Sequence, residues 1–180
     1  MGWCSFHLDE PAKDWFTRSW KSNDLYEVLE VALVKRTTIY AAVKEKSTGD
    51  IFCVVYLVRW SRDWFNFCYK DMTEHSGPCV YDCPEKIFKL LTPLKDNDDN
   101  RFAIEWRKKV EQLHKNRKQL KGDCIVKVAV PIGFNNGMQI SYFKKVGRAM
   151  YGGIMENEKF LPYTRVRKFS LANREFEIIK

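Results

Sequence analysis

No stretch of this chain approaches the roughly 18 consecutive apolar residues that a membrane-spanning helix requires. The opening Met1-Gly2-Trp3-Cys4-Ser5-Phe6 has neither a basic segment nor an apolar signal core. A cytoplasmic location is therefore expected, without membrane contact. Phe6 stands where a myristoylation motif needs Ser or Thr, so Gly2 is not read as an acylation site. No cofactor loop, metal cluster or catalytic triad stands out, and there are no internal repeats or low-complexity tracts. No cofactor is expected. Histidine is scarce: His7 and His114 have no obvious carboxylate neighbour in sequence, which leaves His75 as the one near acidic residues.

Cysteine is present in six scattered copies, Cys4, Cys53, Cys68, Cys79, Cys83 and Cys124, mostly flanked by aromatic or β-branched residues. That setting suits reduced, buried thiols. Cys79 and Cys83 lie near His75, but zinc sites draw on two recognised pairs of ligands and no second pair exists, so no metal is assigned.

What the chain does have is aromatic surface and uneven charge. At 180 residues, 45% hydrophobic and 14% aromatic, it can bury a real core, with rings left over for an interface. Net charge is +8, yet residues 1–100 hold 13 basic and 16 acidic side chains while residues 101–180 hold 18 and 7. A strongly basic half attracts polyanions, nucleic acid foremost among them. The plainer reading is a solvated basic face.

Hydrophobic periodicity divides the chain into three stretches. Trp3 to Leu8 reads as a short strand, and residues 9–20 as helix or loop. Tyr26 to Val34, Thr38 to Lys44, Ile51 to Arg59 and Trp64 to Tyr69 read as strands of an antiparallel meander, separated by turns such as Lys46-Ser47-Thr48-Gly49-Asp50. Asp82, Pro84 and Glu85 mark a helix start, with the Asp82 carboxylate placed to cap an early backbone NH, and the helix runs over 84–92 before Pro93. A longer helix over 100–120 places Phe102, Trp106, Val110, Leu113 and Leu120 on one stripe, with Arg101, Lys108 and Lys115 as a basic row away from it. Beyond Gly122, Cys124 to Val130, Met138 to Lys145, Ala149 to Met155 and Phe160 to Phe169 read as short strands. Turns are expected at Phe134-Asn135-Asn136-Gly137 and at Tyr151-Gly152-Gly153. The expected fold is α+β: an N-terminal antiparallel sheet with two helices over 1–120, then a small SH3-like β-barrel over 121–180.

Two groups of residues could carry chemistry. Lys70, Asp71, Glu74 and His75, just after a strand, include an acid, a base and a phosphate contact, which would suffice for metal-independent RNA cleavage in which the 2′-hydroxyl is the nucleophile. An ordinary polar turn explains them equally. In the basic half, Lys144, Lys145, Arg148, Arg165, Arg167 and Lys168 interleave with Tyr142, Phe143, Tyr151, Tyr163 and Phe169, so that cations could meet phosphates and rings could stack on unpaired bases. Strand alternation sets Arg165 and Arg167 on one face.

Tyr69-Lys70-Asp71-Met72, Glu74, Gly77-Pro78, Tyr81-Asp82-Cys83-Pro84, Leu90-Leu91-Thr92-Pro93 and Ala103 with Glu105-Trp106-Arg107-Lys108-Lys109 resemble the central motif of a family of uncharacterised proteins carried by bacteriophages and conjugative elements. Met1-Gly2-Trp3 and Tyr40-Ala41-Ala42-Val43 are also similar, and the C-terminal region matches more loosely. The resemblance implies a place on mobile DNA and carries over no functional residues. By analogy with small accessory proteins of such elements, the expectation is counter-defence. The chain would act as an anti-CRISPR protein that engages a host CRISPR nuclease, its guide RNA, or both. The alternatives are an endoribonuclease acting through Lys70 to His75, and a non-enzymatic accessory protein that binds a host protein.

Overall fold

Six successive residues, Thr38 to Val43, are buried, a pattern that a strand shows only when both faces of its sheet are covered. The computed structural model describes residues 4–7, 10–21, 24–35, 37–60, 66–120, 122–155 and 157–179. The chain forms two compact units, residues 1–110 and 111–180.

In the first unit, β1 (Cys4–His7), α1 (Ala12–Lys21), β2 (Tyr26–Val34), β3 (Thr38–Glu45), β4 (Ile51–Trp60) and β5 (Asn66–Thr73) build an antiparallel sheet of order β1-β5-β4-β3-β2. Register places Ala41 opposite Val54 and Ala42 opposite Cys53, so alternate residues feed two separate cores. On one face Ile39, Ala41, Val43, Val54, Tyr56 and Val58 pack with Phe16 of α1. On the other, Tyr40, Ala42, Cys53 and Val55 meet Cys83, Ile87, Leu91, Trp106 and Val110. Each fully buried aliphatic side chain contributes about 1.5–3 kcal/mol, so the meander is held mainly by these two layers. Gly49, with φ 81°, closes the β3–β4 turn as the Lys46 to Asp50 signal predicts, its NH donating to the Glu45 carbonyl at 2.8 Å.

The helical segments differ from expectation in three ways. Helix α2 (Glu85–Phe88) is shorter than 84–92, and its N-cap is Pro84, which provides no side-chain cap. Asp82 instead accepts a hydrogen bond from the Tyr40 hydroxyl at 2.7 Å and an ion pair from Lys35 at 2.8 Å, because it faces the sheet and not the helix end. Helix α3 (Arg101–Gln119) buries Ala103, Trp106, Val110 and Leu113, with Leu120 buried just past its end, while Phe102 is 57% exposed. The buried stripe starts one residue later than predicted, since the alanine beside the large ring has the better angular position.

In the second unit, β6 (Ile125–Gly133), β7 (Gln139–Gly147), β8 (Met150–Ile154), β9 (Phe160–Arg167) and β10 (Phe176–Ile178) form a sheet of order β10-β6-β7-β8-β9. The expected SH3-like barrel is not formed. Closure needs the two outer strands to pair, but β10 adds to the free edge of β6, and β9 runs into a helix, α4 (Lys168–Ala172), where strand was expected as far as Phe169. The sheet stays open. Leu113, Leu120, Leu171 and Ala172 are buried in this unit, and Asn116 ties α3 to the chain after α4 by donating to the Ala172 carbonyl at 2.8 Å.

The Phe134 to Gly137 turn is present, with Gly137 at φ 80° and its NH donating to the Phe134 carbonyl. The turn expected at Tyr151-Gly152-Gly153 is not: those residues lie within β8, and the chain reverses at Arg148 and Ala149. These glycines occupy strand positions because both faces are already filled. A Cβ on Gly153 would meet Thr164 Oγ1 at 2.8 Å and Ile140 Cγ2 at 2.9 Å, and one on Gly152 would meet Phe160 and Val146 at 3.1 Å. No described helix is long and apolar enough to cross a membrane.

Candidate nucleic-acid interface

The Lys70 to His75 cluster is taken apart by strand alternation. Lys70 lies opposite Leu57 and Asp71 opposite Tyr56 on β4, so the two side chains leave opposite faces of the sheet. Glu74 is fully buried. It receives both Nε and Nη2 of Arg107, at 2.7 and 2.6 Å, and the Cys53 backbone NH at 3.3 Å. Arg107 also donates Nη1 to the Thr92 carbonyl at 2.5 Å. This fork-on-carboxylate geometry fixes the 3-10 turn Glu74–Ser76 to α3, and every lone pair direction it uses points away from solvent. His75 is exposed on that turn. A general acid and base must share a reacting atom within hydrogen-bond reach, and these four groups face three directions.

Cys53, Cys79 and Cys83 do not form a shared site. Cys53 and Cys83 are buried in the same apolar core, and burial followed by the neighbouring Cys83 thiol pushes the Cys53 thiol well above its ordinary value, keeping it protonated. Cys79 is exposed while Cys83 is buried, so the pair considered for zinc does not converge. No group of three or more His, Cys, Asp or Glu side chains placed to hold a metal occurs among the described residues.

The basic residues separate just as clearly. Arg101 pairs with Glu105 and Lys115 with Glu111, each at i,i+4, which leaves Lys108 as the exposed middle member of that row. By sequence the first unit is neutral, with 17 basic and 17 acidic residues, and the second holds 14 against 6. The entire net charge of +8 thus belongs to the second unit.

Within that unit the outward face of the sheet gathers cations and rings. Register places Lys144, Gly152 and Arg165 side by side across β7, β8 and β9, with Arg167 two residues further along β9. Thr164 is buried and Val166 half-buried, so Arg165 and Arg167 alternate to the open side, where both are exposed and neither has an ion-pair partner among the described residues. Lys144 is held at 2.7 Å by Glu158. On the same face, Lys127 lies 5.9 Å from the centre of the Tyr142 ring and pairs with Glu177. Lys145 shares its register position with the buried Tyr151, which takes it to the opposite face from Lys144. Arg148 is exposed in the β7–β8 turn, and Lys168 is half-buried at the start of α4, where Arg117 lies 5.1 Å from the Phe169 ring centre.

Tyr163 is expected from the sequence as a stacking ring, but its backbone conformation is not. It has φ 59°, a left-handed backbone rare for a bulky residue and costing of order 1–3 kcal/mol, and it is 90% exposed. The kink is braced by the Thr164 hydroxyl, which donates to the Leu161 carbonyl at 2.7 Å, and it coincides with the register shift between β8 and β9. The ring is thereby held out from the sheet with Phe160, Val146 and Arg165 around an open groove of about 800 Å³ whose floor is Gly152.

The chain matches no family model, no curated protein and no solved structure.

Proposed function

We propose that the protein is a non-enzymatic counter-defence protein of a mobile element, acting in the cytoplasm of a host bacterium. It engages a host CRISPR nuclease charged with guide RNA through the outward face of its C-terminal sheet. The observation that carries this reading is the grouping of unpaired cations, Arg165 and Arg167, with exposed aromatic rings in the unit that holds the whole net charge. Cations of this kind track phosphates through counterion release, and rings take up bases. The resemblance to proteins of phages and conjugative elements supplies the biological setting. The dispersal of Lys70, Asp71, Glu74 and His75 argues for binding over cleavage.

The test is to incubate the purified protein with a guide-loaded CRISPR nuclease and assay target cleavage and guide integrity together. Blocked cleavage with an intact guide supports the proposal. A shortened guide points to the nuclease alternative, and unimpeded cleavage by nucleases of several types removes the anti-CRISPR reading.

A further inference from the structure

We infer that the groove over Gly152 is the seat of an unpaired nucleobase, and that the ligand of this face is therefore single-stranded nucleic acid and not a duplex. The inference rests on the nucleic-acid reading above and goes beyond it by naming the strand state and the residues that select it.

Gly152 is flanked by Lys144 on one neighbouring strand and Arg165 on the other; Lys144 is held by Glu158, so Arg165 is the cation that lines the groove. Phe160 and Val146 close over the glycine on one side, and Tyr163 with Pro162 forms the rim. The volume, about 800 Å³, falls in the range of sites that enclose small planar ligands. An apolar slot beside the Arg165 guanidinium is complementary to a nucleotide, whose base is apolar on its faces and whose phosphates are anionic. Charge complementarity alone would accept a duplex. The rings do not, because a duplex keeps the faces of its bases stacked on one another, and only an unpaired base can offer a face to Phe160 or Tyr163.

The backbone at Tyr163 supports a binding role for the ring. Glycine adopts φ 59° freely and tyrosine does not, and a ring 90% exposed returns little packing for that strain. Tyr163→Gly is thus the decisive variant. If the ring serves only the fold, the change leaves binding untouched. If it stacks on a base, the variant stays as stable as the parent, or becomes more stable, yet loses affinity by about 5- to 100-fold, the range for one base–aromatic stack.

The experiment is a fluorescence-anisotropy titration with a short labelled oligouridylate, a duplex of the same length, and heparin as a polyanion without bases. The parent protein should bind the single strand at least about 10-fold more tightly than the duplex. Tyr163→Gly should abolish that preference with its thermal midpoint unchanged or raised, and Tyr163→Phe should retain it. If oligouridylate, duplex and heparin bind alike and Tyr163→Gly changes nothing, the base seat is wrong while polyanion binding stands. If none of the three binds even at low salt, both readings fall.

Discussion

The two sheets of this molecule treat their polar groups in opposite ways. The N-terminal sheet is covered on both faces, and the polar groups near its core are consumed internally: Glu74 by Arg107, Asp82 by Lys35 and Tyr40, and the Trp106 indole NH by the Val80 carbonyl at 2.9 Å. The C-terminal sheet leaves one face open, and there cations and rings stand without such partners or against single carboxylates. A polar group that is buried and satisfied is committed to the fold, whereas an exposed and unsatisfied one is available to a ligand. The first unit thus spends its polar groups on the fold, and the second keeps free the face proposed above for binding.

Breaking the buried pair should have the largest effect. Arg107→Ala leaves the Glu74 carboxylate buried without its counter-charge and is expected to destabilise by about 3–5 kcal/mol, read from urea unfolding. Replacing both partners with apolar residues should recover much of that loss. Trp106→Ala removes a side chain that is 1% exposed, together with its hydrogen bond, and should cost a similar 3–5 kcal/mol. An unchanged midpoint for either variant would move the comparison's stabilising weight elsewhere.

A smaller effect is expected from pH. Burial raises the Asp82 carboxyl, but hydrogen bonds from Lys35 and Tyr40 outweigh it and hold the group below its ordinary value. A folded pKa below the unfolded one contributes stability above the unfolded pKa and loses it as pH falls through the folded value. Lys35→Ala should therefore shift acid unfolding of the parent to higher pH, which circular dichroism across an acid titration will show. Smallest of all in stability should be changes on the face proposed for binding. Arg165→Ala with Arg167→Ala should leave the thermal midpoint within the range of ordinary surface changes while weakening nucleic-acid binding more at low than at physiological salt, since fewer phosphate contacts give a shallower salt dependence. His75→Ala should leave both stability and binding within a few-fold of the parent, because the side chain is exposed on a turn that Glu74 already anchors.

How far the sequence reaches is itself divided along the same line. Strands β2 to β4 are legible because each is a long β-branched run bounded by turn residues, and α3 is legible because its period holds for five turns. Phe102 shows the limit of periodicity: spacing identifies a stripe but not whether it begins at a large ring or at the alanine next to it. The barrel fails for a different reason, since local strand patterns say nothing of which edges pair. The turn expected at Gly152-Gly153 fails because glycine signals either reversal or close approach, and the approaching Phe160 and Thr164 come from another strand. In the candidate loop, the burial of Glu74 depends on Arg107, 33 residues away, a pairing without local signature. The basic and aromatic interleaving is legible in sequence, but of the rings expected to stack on bases Phe143 and Tyr151 are buried in the core, and the groove depends on the backbone of Tyr163, which no residue pattern encodes.

The cysteines give the two units chemical timers of their own. Cys53 and Cys83 are sealed in the first unit, Cys124 is buried in the second beside the Tyr151 hydroxyl, and Cys79 is open to solvent. A thiol reagent should modify Cys79 at once and reach Cys53, Cys83 and Cys124 only when their surroundings open, so each of these modification rates reports the opening free energy of its own neighbourhood. Mass spectrometry of a timed alkylation would follow both clocks in one native sample, without denaturant or introduced label. A ligand on the C-terminal face should slow the Cys124 clock and leave Cys53 and Cys83 running at their former pace.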